Sequence, residues 1–158
     1  MQAHLDVWIA EFDACGGLWR DVLVSFYEAR YAEVLPFARA LVELAWNLAL
    51  KRAFAGVAAG TFNGDQSIAR ALRKQASDDR MGLGDQLLTH APAYFGFSFA
   101  DDFDAAEWAR FLAFLTRRND VAHGASTVTI DEAWLAIGAA RAVTDKILEL
   151  ARRLPPSG

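Results

Sequence analysis

Apolar residues recur along this chain at the spacing of a helix and almost nowhere at the spacing of a strand. Strand-like alternation is confined to "STVTI" (Ser126–Ile130), which is too short and sits in a loop. A chain with that pattern has to bury its apolar stripes helix against helix. The expected class is therefore an all-α bundle.

The punctuation divides the pattern into segments. A first helical stretch is expected from about Leu5 to Ala14, interrupted by Gly16-Gly17, and a second from about Leu18 to Val34. Pro36 suits the first turn of a new helix that carries "FARALVELAWNLALKRAF" to Phe54. Beyond the loop "AGVAAGTFNGD", Asp65 is placed to cap a helix over "QSIARALRKQA". Three glycines and a proline then leave room for a short helix, Asp85 to His90, between loops. The last two helices have strong start signals. Asp104 and Glu107 stand at capping-box spacing, and Thr129 with Glu132 matches the box directly. Gly124 fits the position just past the end of the first of these. The second runs from about Ile130 to Arg153. Residues 1–153 thus read as one helical domain and 154–158, "LPPSG", as a flexible tail.

A chain of 158 residues suits one domain with a core of its own. Its hydrophobic fraction, 54%, is high for a small monomer, so a second copy is expected to cover part of it. No run approaches about 18 apolar residues, so no membrane span is expected. The first residues are acidic and do not resemble a signal peptide. The single cysteine, Cys15, leaves no intramolecular disulfide or multi-cysteine zinc site, and a cytoplasmic location is the default. A net charge of −4 argues against a broadly basic, nucleic-acid-coating surface but not against a local basic site. Arginines outnumber lysines thirteen to three, and arginine is the better fork for phosphate.

The segment "DAAEWARFLAFLTRRNDVAHG" carries the chemistry. On a wheel started at Trp108, residues Trp108, Phe111, Leu112, Phe114, Leu115, Val121 and Ala122 fill one arc, from about 220° round to 40°. Arg110, Arg117 and Asp120 fall opposite, so Arg117 reads as ordinary solvated surface. Arg118 and Asn119 fall inside the apolar arc and His123 on its edge, with Asn119 and His123 neighbours four residues apart. Either Arg118 pairs with an acid from another helix while His123 caps the helix end, or this arc meets a phosphate in a cleft or at a second subunit. The second reading has a family behind it. "RNDVAHG" resembles the R-N-x-x-x-H motif of HEPN domains, with Arg118, Asn119 and His123 on its marked positions. "MGLGDQL" (Met81–Leu87) is similar to a Leu-Gly segment that precedes this helix in some relatives.

The resemblance implies an up-and-down helical bundle of the HEPN type with extra N-terminal helices. It implies a metal-independent endoribonuclease without cofactors, acting as a homodimer with two motifs facing one cleft. Its roles would be toxin or antiphage-defence effector, with an antitoxin or operon protein as a further partner. The residue types suit the reaction. Attack by the ribose 2′-OH needs a group to take that proton, another to protonate the 5′-oxygen, and a cation for the charged phosphorane. Histidine transfers protons near neutral pH and arginine holds two phosphate oxygens. Asn119 can orient His123 or the phosphate. Some family toxins carry a tyrosine two residues past the histidine that an antitoxin modifies; here Ala125 stands there, which puts that regulation in doubt.

Other candidates weigh less. Arg70, Arg73, Lys74 and Arg80 read first as a solvated face and second as a basic rim guiding RNA into the cleft. His4 and His90 lack neighbours at ligand spacing, so no metal site is expected. The acid pairs Asp78-Asp79 and Asp101-Asp102 read as turns and caps. The aromatics Trp46, Phe95, Phe97, Trp108 and Trp134 read as core or interface. The competing function is a non-catalytic HEPN-like scaffold that binds a nucleotide, RNA or a protein partner through the same polar residues. A third reading is an interaction-only bundle in which the motif is structural.

Overall fold

A computed structural model describes residues 2–58, 81–124 and 127–154, with side chains described for 13–53, 81–124 and 127–154. Among these residues the chain is all-helical, without strands: α1 (Gln2–Tyr27), α2 (Tyr31–Ala58), α3 (Leu83–Phe95), α4 (Ala105–Ala122) and α5 (Ile130–Arg152). No described helix is long and apolar enough to cross a membrane.

The first break is not where the glycines suggest. α1 runs unbroken through Gly16 and Gly17. Each glycine in a helix interior costs about 1 kcal/mol relative to alanine. Interrupting the helix would cost more, because Cys15, Leu18, Trp19, Val22, Ser25 and Phe26 form one continuous stripe into the core. The helix stops instead at Ala29, which takes a left-handed conformation with φ 58°. The Arg30 amide donates to the Ser25 carbonyl at 2.8 Å and the Ala29 amide to the Phe26 carbonyl at 3.0 Å. This is a Schellman ending with alanine where glycine is usual. α2 accordingly begins at Tyr31, and Pro36 lies inside it rather than in its first turn. The Ala32 carbonyl, which a residue at 36 would normally bond, sits at an exposed position where water can serve it.

α2 is the central helix. It packs most extensively on α5 and next on α1. Its wide buried face includes Val34, Leu35, Ala38, Leu41, Val42, Ala45, Trp46 and Ala49, and α5 contributes Ala133, Ala136, Ile137, Ala140, Val143 and Ile147. α5 starts with the expected capping box: Thr129 and Glu132 each satisfy the other's backbone amide.

α3 is longer than the six residues expected, because Leu83, Leu87, His90, Ala91 and Tyr94 continue one buried stripe across Pro92. It ends where Gly96 adopts a φ of 62°. Gly84 explains part of "MGLGDQL": a Cβ there would lie 3.1 Å from Leu112 Cδ2, so a bare backbone lets α3 lie against α4. Between the two helices, Phe97, Phe99 and Phe103 pack edge to face, and Phe99 stacks on Trp108 at 5.1 Å. Asp101 and Asp102 bond Ser98 and close this turn. The expected helix after Asp65, the acids Asp78 and Asp79, and the basic residues Arg70, Arg73, Lys74 and Arg80 lie outside the described residues.

Candidate functional site

α4 is built in two parts. Asp104 caps its start by accepting from the Glu107 amide at 2.9 Å. Trp108, Phe111 and Phe114 then drive three successive turns into the core. Leu112 and Ala122, which share their arc on the wheel, are exposed. Past Phe114 no side chain of this helix is fully buried; Leu115, Arg117, Arg118 and Val121 are half-buried, and Leu115 and Val121 still pack against the core. The helix ends at His123, whose amide is shared between the Asn119 and Asp120 carbonyls at 3.1 and 3.2 Å. Gly124 follows with φ 89°, a conformation that favours glycine.

Arg117 is not ordinary solvated surface. Its guanidinium forks onto Glu132, with Nε at 3.0 Å from Oε1 and Nη2 at 3.4 Å from Oε2, and Nη2 also reaches the Thr127 carbonyl at 3.3 Å. The backbone hydrogen bond from Thr129, and then Arg117, hold the Glu132 carboxyl below its ordinary range. One carboxylate thus caps α5 and ties it to the end of α4. The wheel misses this because it treats α4 alone, while the short link to α5 returns Glu132 alongside Arg117.

Arg118 has a different environment. Among the described residues its Nη1 donates to the neutral amide oxygen of Asn119 at 3.3 Å, and no carboxylate pairs with it. Among the described residues, then, no acid from another helix forms the structural pair that was one of the two expectations for Arg118. A second arginine, not anticipated, reaches the same atom: Arg39 of α2 donates from Nη1 to Asn119 Oδ1 at 3.2 Å. Glu43, one turn along α2, holds Arg39 Nε at 2.7 Å. Arg39 and Asn119 are 80 residues apart in sequence. The i, i+4 pair of Arg39 and Glu43 looks like any exposed helix pair, so local sequence carries no sign of this meeting. The signal available was the surplus of arginine.

His123 is exposed, and its imidazole makes no hydrogen bond among the described residues. The structure therefore brings Arg118 and Asn119 together, adds Arg39, and leaves His123 one turn beyond, open to solvent. On another face of α4, α2, α4 and α5 enclose a groove of about 260 Å³ lined by Leu35, Arg110, Phe114, Arg117, Glu132 and Leu135, and none of Arg39, Arg118, Asn119 and His123 is among its lining residues. Leu135 on its wall and the adjoining Trp134 of α5 are exposed, at 58% and 60%. No group of three or more His, Cys, Asp or Glu side chains placed to hold a metal ion occurs among the described residues. Compared with protein-family models, with curated proteins and with solved structures, the chain matches none.

Proposed function

We propose that this chain is an endoribonuclease of the HEPN type, cleaving RNA without a metal at a cleft between two copies of itself. The observation that carries the reading is Arg118. It is a half-buried residue whose guanidinium, among the described residues, is bonded to a neutral amide rather than a carboxylate. A cation in that situation retains its capacity for an anion. Asn119 is its neighbour, and an accessible His123 stands one turn beyond Asn119.

In the proposed reaction the ribose O2′ attacks the adjacent phosphorus and its proton passes to a base. The P–O5′ bond breaks and O5′ receives a proton. The products are a 2′,3′-cyclic phosphate and a free 5′-hydroxyl. Arg118 stabilises the charged phosphorane and Asn119 orients its neighbours. His123 transfers a proton, and a second copy supplies a second His123 for the other transfer. The exposed Trp134 and Leu135 and the largely apolar groove between α2, α4 and α5 support a second copy as neighbour. A toxin or antiphage role, with an antitoxin or operon protein as partner, goes with this reading.

The test is incubation of purified wild type and His123→Ala with RNA in EDTA. The reading expects cleavage by the wild type and a loss of about 10²-fold or more in the variant. Equal cleavage by both, or none by either, overturns it. The acidic composition favours the second reading, a scaffold that binds without turnover. Binding that Arg118→Ala abolishes, with no cleavage by the wild type, selects that one.

A further inference from the structure

The site contains more cationic binding capacity than the trio itself. Arg39 and Arg118 come from different helices and place their Nη1 atoms 3.2 and 3.3 Å from one oxygen, Asn119 Oδ1. Two guanidinium groups converging on one neutral acceptor are under-satisfied, since each would bond an anionic oxygen more strongly. Arg39 is held in place. Glu43 occupies its Nε, which fixes the guanidinium plane and directs an Nη1 edge at α4. Its side chain is only 23% exposed, so the orientation is set by packing as well as by the ion pair. Arg118 has no compensating carboxylate among the described residues. Across the three side chains Arg39, Glu43 and Arg118, one positive charge is left over.

We propose that Arg39 and Arg118 form a two-arginine clamp for a single phosphodiester group of a bound RNA strand, with a phosphate oxygen replacing Asn119 Oδ1 as their shared acceptor. On arrival of the phosphate the Asn119 side chain is released to hydrogen-bond the strand or His123. The clamp rests on the reading of this site as an RNA site, and it adds to that reading a residue on α2 that lies outside the Arg118–His123 motif. Arg39 here is a substrate-binding residue. It makes no proton transfer.

The experiment uses the full chain and a 2′-fluoro RNA oligonucleotide, which lacks the attacking hydroxyl and reports binding alone. Affinity is measured by fluorescence anisotropy over a salt series for wild type, Arg39→Gln, Arg118→Gln and the double variant. Each single change is expected to weaken binding about tenfold and to lower the salt slope by about one. Because both arginines hold one phosphate, the double variant is expected to lose far less than the product of the two single losses. Arg39→Lys keeps the charge and loses the fork, and is expected to fall between wild type and Arg39→Gln. It also serves if Arg39→Gln fails to fold, as judged by far-UV circular dichroism. Binding of Arg39→Gln or Arg39→Lys equal to wild type overturns the clamp. So do losses that multiply independently, and so does a wild type that does not bind the oligonucleotide. Coupled losses without cleavage of ordinary RNA would leave the clamp standing and remove the nuclease. Cleavage with a neutral Arg39→Gln would do the reverse.

Discussion

The two ends of α4 obey different rules. From Trp108 to Phe114 each inward side chain is aromatic, buried and packed at a tilt on its neighbours, with ring centroids 5.3 and 6.0 Å apart. From Arg117 to His123 the same helix carries polar groups, and two of its arginines have opposite environments. Arg117 is bound to a carboxylate and a backbone carbonyl, as a structural clasp should be. Arg118, the next residue, has among the described residues a neutral partner shared with a second cation. A stretch kept only for stability has no reason to converge two guanidinium groups on one amide. On the proposed reading, the contrast separates stabilising chemistry from chemistry held ready for a ligand within two turns of one helix.

That division is sharpest in a comparison of truncations. Phe111→Ala, at a fully buried position, is expected to cost about 3–5 kcal/mol of unfolding free energy by urea titration. Arg118→Ala and Asn119→Ala are expected to stay within about 0.5 kcal/mol of wild type in the same titration, while affecting RNA. A loss of several kcal/mol in Arg118→Ala would place that residue with the structural half and break the contrast.

The two histidines described by side chain extend it. His90 is buried against Tyr94, its Nε2 has no hydrogen bond among the described residues, and burial lowers its pKa. Burial also pushes the Tyr94 hydroxyl up to about 12. Below a pH of about 6.5 the unfolded chain takes up a proton at this histidine that the fold resists. Stability is therefore expected to fall as pH drops from 6.5 towards the lower folded value. His90→Phe should flatten the melting temperature between pH 7 and 5.5, ahead of the losses from Glu132 and Glu149, whose lowered carboxyls release stability below about 4.5. An unchanged profile in His90→Phe would show that His90 does not set this dependence.

Smaller effects come from the break that sequence misplaces. Gly17→Ala is expected to raise stability by about 1 kcal/mol, since its Cβ meets nothing within 4 Å and the helix continues through it. Ala29→Gly is expected to be neutral or stabilising by up to about 1 kcal/mol, because the left-handed conformation burdens alanine and not glycine. Thermal melts that show the opposite signs would restore the break at Gly16-Gly17.

These pairs show where sequence reading succeeds. The all-helical class follows from periodicity, and the caps at Asp104 and Thr129 and the end at Gly124 follow from local hydrogen bonding that needs no tertiary partner. The turn at Ala29 is imposed by packing of α1 on α2, and alanine gives no sign of it. The same limit applies at the site. Arg118, Asn119 and His123 stand together on one helix and could be named from spacing. Arg39 could not, since which face α2 turns towards α4 is decided by the bundle as a whole. Glu132 looked like half of a capping box and proves also to be the partner of Arg117.

The chemistry proposed for the exposed half of α4 is tested most directly by the ends of its RNA products. Cleavage by the wild type in EDTA, followed by mass spectrometry of the fragments, is expected to give 2′,3′-cyclic phosphate and 5′-hydroxyl termini. Fragments that carry 3′-hydroxyl and 5′-phosphate ends, or products unchanged in His123→Ala, would contradict attack by the 2′-oxygen at this site.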